Sequence, residues 1–483
     1  MDSIHTDLMT ILPELVVLGM AMLVLLADFC ISSKNRILVY ALTQLTLLLA
    51  AFAVVKTHVP SVSYAFTSMW VDDGLGDVLK LMTLFGTFIM LVYTRQYIQF
   101  RGMYRSEYYA LVLFALLGMM VMISGNSLLT IYIGLELLSL SLYALVALNR
   151  DSLSASEAAM KYFVLGALAS GMLLYGMSMI YGMTGTLDMG EIIVALRDAP
   201  PVRNPVLVMG LVFIVSGVGF KFGAVPFQMW VPDVYQGSPT AITLLVGSVP
   251  KFAAFAMAIR LLAQGLQPLA LDWQQMLLIM AVLSIAVGNI TALAQSNIKR
   301  MLAYSTISHI GFLLFGIMSA SMNGYASSML YVSAYVLMTL AGFGMILLLS
   351  RQGYESDKLE DLKGLNQRSP WAAFLMLITM FSMAGVPPTI GFYAKLSVLQ
   401  AAWQAGFTWA VVFAVLMAVI GAFYYLRIVK LMYFDTAKDL QPITSSMEMK
   451  TLLSVNVYAL LLIGLMPQTL MVICGYAIGT SLQ

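Results

Sequence analysis

The chain reads as an all-α polytopic membrane protein of about 14 transmembrane helices, built from inverted repeats of five helices with two broken helices. Three observations carry that reading. Hydrophobic residues make up 61% of 483 and charged residues only 10%, with a mean hydropathy of +0.90, where a soluble domain carries roughly a quarter charged residues. Apolar runs long enough to cross a bilayer recur along the whole chain. Two of those runs are overlong and interrupted in the middle by proline.

Taken in order, spans fall near 11–30, 38–56, 76–94, 107–123, 127–147 and 155–182, then near 206–235, 240–263, 275–294, 300–320, 326–350, 371–404, 408–433 and 451–475. The first is expected to stay in place as a span, because Asp2, Asp7 and Glu14 stand where a cleavable leader has positive charge. Residues 1–106 then hold three helices, 107–264 a first five-helix repeat, 265–434 a second and inverted one, and 435–483 a last helix.

The two overlong spans repeat one device. Gly219-Phe-Lys221-Phe-Gly-Ala-Val-Pro226 and Ala384-Gly-Val-Pro387-Pro388-Thr-Ile-Gly-Phe-Tyr-Ala-Lys395 both combine glycine, proline and a lysine, the second lysine 174 residues after the first. Proline removes a backbone donor and glycine loosens the helix. Irregular backbone at membrane depth persists only where it lines protein or water, and paired interruptions in corresponding halves mark inverted-repeat transporters.

Loop charges orient the chain. Fifteen basic residues lie in alternate loops: Lys34 and Arg36; Arg95, Arg101 and Arg105; Arg150; Lys299 and Arg300; Arg351, Lys358, Lys363 and Arg368; Lys430, Lys438 and Lys450. The opposite loops hold three, Lys56, Arg197 and Arg203. Basic loops stay cytoplasmic. Both termini are therefore expected on the periplasmic side of a bacterial inner membrane.

The remaining charges are deep. A charged group at the bilayer centre costs about 2.5–3.5 kcal/mol on insertion scales, so such groups usually line ion or proton paths. Glu136 sits mid-span, where a short carboxylate cannot reach water and needs a cation or a proton. Lys161 follows a capping box, Ser154-Ala-Ser-Glu157, that starts its helix near 155; at that depth it either snorkels or pairs with Glu136 across the short loop. Lys221, Lys251 and Lys395 have no easy path to an interface, and a buried lysine gives up its proton readily. His309, among Tyr304, Ser305, Thr306 and Ser308, is either a satisfied structural donor or a relay group holding water. Arg260 and Arg427 lie near helix ends and read as snorkelling anchors, and Lys80 is left open.

Several chemistries are excluded. Cys30 and Cys474 are the only cysteines, and His5, His58 and His309 the only histidines, too few for an iron-sulfur cluster. Motifs for covalent haem, zinc or a nucleotide phosphate loop are absent from the sequence. A net charge of +2 gives no electrostatic ground for nucleic acid. The chain is expected to carry no cofactor, so a gradient or a partner must drive it.

Gly219-Phe-Lys221 with Val225-Pro-Phe, Trp230-Val-Pro-Asp-Val-Tyr-Gln-Gly-Ser-Pro, and Asn297-Ile-Lys-Arg-Met-Leu-Ala-Tyr-Ser-Thr-Ile-Ser-His309 closely resemble the antiporter-like membrane subunits of respiratory complex I. The resemblance covers essentially the whole chain. It implies a proton relay of Glu136 on the fifth helix ion-paired to Lys161 on the sixth, Lys221 before the break in the seventh, Lys251, His309 and Lys395. Lysine at the twelfth-helix position, with no long lateral extension after fourteen helices, favours the N branch of that family over L and M. Other membrane-arm subunits and the lipid bilayer would be its partners, with quinone and NADH bound by other subunits. Two rivals differ in class. A sodium/proton antiporter subunit would need several hard oxygen ligands, against four deep lysines and one glutamate here. A structural scaffold would tolerate loss of the lysines.

Overall fold

The computed structural model describes residues 2–30, 36–59, 61–198, 204–437 and 441–482. Lys34, Arg203 and Lys438 of the loop-charge pattern lie outside the described residues. A short helix α1 (Asp2–Thr10) leads into α2 (Leu12–Cys30) and α3 (Ile37–Thr57). An antiparallel hairpin follows, β1 (Ser63–Ala65) and β2 (Trp70–Asp72), with Ser63 paired to Asp72. The chain re-enters as α4 (Gly74–Phe100), whose first turn is capped by Asp73 accepting from the Gly76 amide at 2.8 Å.

Helices α5 (Ser106–Ser124), α6 (Leu128–Val146) and α7 (Leu153–Thr184) come next, then a short amphipathic α8 (Met189–Asp198). The first expected break separates α9 (Pro205–Phe222) from α10 (Trp230–Gly237). Beyond it lie α11 (Thr240–Gly247) and α12 (Pro250–Ala258), which runs on as a π-helical turn, Ile259–Gly265. The second half holds α13 (Ala270–Leu293), α14 (Ile298–Met318), α15 (Met322–Leu349) and the short α16 (Leu365–Arg368). The second break separates α17 (Pro370–Ala384) from α18 (Ile390–Gln404), and α19 (Thr408–Phe434), α20 (Met447–Leu465) and α21 (Pro467–Ser481) complete the chain.

Twelve helical stretches among the described residues are long and apolar enough to cross a membrane, and Leu12–Leu26 and Pro370–Ala384 are shorter apolar ones. Together they account for the expected spans. Two further interruptions accompany the two expected ones, before Pro250 and before Pro467. Each proline occupies the first helical position, where its missing donor costs nothing. Helix α7 begins earlier than expected: Ser152, not Ser154, caps it by accepting from the Ala155 amide. Glu157 is thereby released to pair with Lys161.

Two helix pairs, one in each half of the chain, pack by the same means. Between α5 and α6 a Cβ on Gly118 would stand 2.5 Å from the Leu138 amide nitrogen, and between α13 and α14 one on Gly288 would stand 2.6 Å from that of Ser308. Only glycine lets these backbones approach so closely. The interior is made of α11, α12, α14 and α15, buried nearly throughout, whereas α3, α7, α19 and α20 present apolar side chains outward. Lys251 and His309 sit in that interior, Lys221 is buried on α9, and Glu136 and Lys395 are half-buried on α6 and α18.

Candidate functional site

Each break ends its first half-helix in a left-handed glycine, Gly223 at φ +80° and Gly385 at φ +86°, a conformation glycine adopts without strain. Aligning those glycines places Pro388 on Pro226, each three residues on, and Lys395 on Asp233, each ten residues on. The equivalence of Lys221 and Lys395 suggested by the sequence does not hold. Lys221 ends α9 ahead of its break, and Lys395 lies on α18 beyond the other. By its contacts, the counterpart of Lys395 is Lys251.

Those contacts follow from the breaks. The last carbonyls of a helix lack partners and carry its negative dipole end. Lys251 Nζ donates to Phe222 O at 2.9 Å, at the end of α9. Lys395 Nζ donates to Met383 O at 3.0 Å and Ala384 O at 2.9 Å, at the end of α17. Each lysine also lies over an aromatic ring, Lys251 5.6 Å from Trp230 and Lys395 5.3 Å from Phe312. The Trp230 indole is fixed in turn by donating to Phe220 O.

Lys221 is buried and donates to Ser139 Oγ at 3.0 Å. Glu136 lies one turn before Ser139 on α6, and its field reaches Lys221. The Glu136 carboxylate accepts from the Ser170 hydroxyl, which contacts Tyr132 Oη at 3.1 Å. A cavity of about 20 Å³ touches Ser139, Ser170, Lys221 and Trp230, enough for one water.

His309 stands between two tyrosines, Nδ1 at 2.7 Å from Tyr331 Oη and Nε2 at 3.2 Å from Tyr425 Oη. Tyr425 also meets Ser305 at 2.5 Å. A second cavity, about 10 Å³, joins Ser305, Thr306, His309 and Tyr335. Tyr335 donates to Gly247 O at 2.8 Å and contacts Thr306 Oγ1 at 3.0 Å, bridging α11 and α14. The charge of Lys221 acts on Lys251 and that of Lys395 acts on His309. Along the row from α6 to α18 the deep groups thus act on one another in two sets, Glu136 with Lys221 and Lys251, and His309 with Lys395, and Tyr335 bridges α11 and α14 between them.

Lys161 stands outside that row. Its ammonium pairs with Glu157 and with Asp233, both at 2.8 Å, and its side chain is 43% exposed. The expected ion pair with Glu136 is not formed. Glu136 meets α7 at Ser170, nine residues beyond Lys161, or about 13 Å of helix. Asp233 also accepts from Arg300 at 2.7 Å and was missed as a site residue, although it stands in the Trp230-Val-Pro-Asp motif. Combining Lys161→Met with Asp233→Asn should give a non-additive change in complex abundance, and combining Lys161→Met with Glu136→Gln an additive one. Coupling in the second pair alone would contradict the observed geometry.

Other charges are placed differently from their sequence reading. Arg260 is no snorkelling anchor: fully buried on the π turn, it forms a two-pronged pair with Asp73 at 2.6 and 2.8 Å and donates to Ile123 O. The guanidinium fork matches a carboxylate geometrically, so the pair can form away from water. Lys80 pairs with Glu14 at 2.9 Å, both buried. Lys299 is not a loop charge but a buried donor to Ser238 O at 2.8 Å. Arg427 reaches the carbonyls of Leu293 and Gln295 at the end of α13.

Comparison with known proteins agrees with this architecture. Residues 125–421 match the family described as NADH:quinone oxidoreductase/Mrp antiporter, transmembrane. A protein of Methylovorus glucosotrophus named NADH-quinone oxidoreductase subunit N is 66% identical over 484 residues, covering 100% of each chain. Its namesake in Thiobacillus denitrificans is 59% identical over 97% of each. A chain in the structure of respiratory complex I from Thermus thermophilus with bound aureothin superposes with a TM-score of 0.80 at 31% identity, covering 95% of this chain and 98% of that one. A chain of the Mrp complex from Dietzia shares the fold, with a TM-score of 0.84 at 20% identity over 98% and 97% of the two chains. With a family match over most of its length and end-to-end relatives at this identity, the chain belongs to the NADH-quinone oxidoreductase subunit N family, a branch of the antiporter-like membrane proteins.

Proposed function

We propose that this membrane-arm subunit of NADH-quinone oxidoreductase moves protons through Glu136, Lys221, Lys251, His309 and Lys395, with Lys161 and Asp233 controlling access at the side of the basic loops. The observation that carries this is the row itself: ionisable groups on α6, α9, α12, α14 and α18, spaced by hydroxyls and water-sized cavities through both helix breaks. Two unit charges about 4 Å apart still interact by roughly 4 kcal/mol at an effective dielectric of 20. A proton arriving at Lys221 therefore disfavours one on Lys251, and the charge is handed along.

The half-helix ends hold Lys251 and Lys395 where a cation is favoured without a fixed counter-anion, so each can load and unload. The chain contributes no redox group. NADH and quinone are handled by neighbouring subunits, and quinone reduction there supplies the drive. The setting is the bacterial inner membrane, with both termini periplasmic, on the strength of the loop-charge asymmetry.

One preparation tests the reading. In inverted membrane vesicles NADH should acidify the lumen at the same rate with and without sodium, and a C-terminal tag should be protected from added protease. Sodium-dependent acidification would favour the antiporter chemistry, and a cleavable tag would reverse the orientation.

A further inference from the structure

A second cluster of ionisable groups lies apart from the row, where α4 begins and α21 ends. Glu14 of α2, Asp72 of β2, and Asp77 and Lys80 of α4 are all buried. Lys80 Nζ contacts Glu14 at 2.9 Å. The Asp72 and Asp77 carboxyls lie close enough for the charge of Asp77 to act on Asp72. Asp77 Oδ2 is 2.6 Å from Nδ1 of His58, which caps the end of α3 and is 40% exposed.

Charge counting makes this arrangement unusual. Asp73, next in line, is closed off by Arg260 and by the Gly76 amide. That leaves three carboxyls against one ammonium in a site largely removed from water. Beyond Lys80, neither oxygen of Glu14 receives a hydrogen bond among the described residues. Three ionisable groups on the adjoining α1 and α3, His5, Asp7 and Lys56, form no ion pair with the cluster among the described residues. Burial, then the nearby Asp77, pushes the Asp72 carboxyl up to about 7.

A stripe of hydroxyls continues from the cluster along α4. Lys80, Thr83 and Thr87 share one stripe of α4; Thr83 is buried and its hydroxyl has no partner among the described residues. On the same helix Gly86 packs against Val249, where a Cβ would stand 3.1 Å from Cγ2, two residues before Lys251.

We propose that Glu14, Asp72, Asp77 and Lys80 form a proton-exchange site that opens to water through His58, on the face opposite the basic loops. It rests on the proton-translocation reading and adds to it the place where protons are exchanged with that compartment. Each transfer moves one proton. Asp77 gives a proton from Oδ2 to Nδ1 of His58, whose Nε2 releases one to water before the ring returns to its first tautomer by exchange with water; Asp72 reprotonates Asp77; the Lys80 ammonium resupplies Asp72, and the neutral amine takes up the next proton delivered by the relay.

The test uses the intact complex. In His58→Gln membranes at low buffer strength, NADH-driven pumping should drop while complex abundance and uncoupled electron transfer stay at wild-type values, and added imidazole should restore pumping. A merely structural His58 would not be rescued by a soluble base. In purified complex, the pH-difference infrared spectrum of wild type minus Asp72→Asn should contain a carboxylic-acid band that titrates around neutral pH. Full pumping by His58→Gln at low buffer overturns the exchange role, and absence of the band overturns the held proton. Should Asp72→Asn fail to assemble, the His58→Gln arm decides alone. Normal pumping in Lys221→Ala with the band still present would instead sink the relay and leave this site standing as a titrating cluster.

Discussion

Lys221→Ala is expected to leave an assembled complex that pumps few protons and oxidises NADH slowly when coupled. A positioned proton-transfer group typically contributes ~10²–10⁴ to the step it serves, and Lys221 is the lysine that meets Ser139 and the Glu136 field. Stability should change little. The substitution deletes one hydrogen bond, worth about 1 kcal/mol, together with the burden of a buried charge that has no ion-pair partner among the described residues. Lys221→Arg should be tolerated only in part, because a guanidinium keeps its proton. The measurements are complex abundance on a native gel and NADH-driven acidification in the same membranes; normal pumping at normal abundance would remove Lys221 from the relay.

Arg260→Met should act in the opposite way, on assembly before activity. Breaking a fully buried ion pair from one side costs about 3–5 kcal/mol, because the other charge stays buried without compensation. Here the orphan would be Asp73, which also caps α4. Two more ties fail nearby, the bonds of Arg260 to Ile123 O and to Gln264, whose amide holds the chain end at Ser481 O. Adding Asp73→Asn removes the charge and keeps a capping side chain, so the double variant should recover much of the lost abundance. Wild-type abundance in Arg260→Met alone would show that the pair contributes no stability.

The contrast between Lys221 and Arg260 shows what is legible along a chain. Both are basic residues in apolar surroundings, and the sequence set Lys221 apart only through its neighbouring glycine and proline. Arg260 read as an anchor because its partner, Asp73, lies 187 residues away in a segment that reads as the edge of a span. Glu136 and Lys161 misled in the other direction. They lie close in sequence on consecutive helices, but each takes a different partner, Ser170 for one and Asp233, 72 residues on, for the other. Lys299 counted as a loop charge because it directly precedes the span expected from 300, and its burial depends on the Ser238 carbonyl closing over it.

By itself the sequence determined the solvent, the number of spans and the two helix breaks, because hydropathy, proline and helix length are local properties that each segment satisfies on its own. Tertiary structure alone decided the partners: that Lys251 and Lys395 seal the ends of α9 and α17, that His309 stands between Tyr331 and Tyr425, and that His58, Asp77 and Asp72 adjoin Lys80 and Glu14. A buried charge must be compensated by whatever group packing brings within about 3 Å, and that group is set by how helices cross.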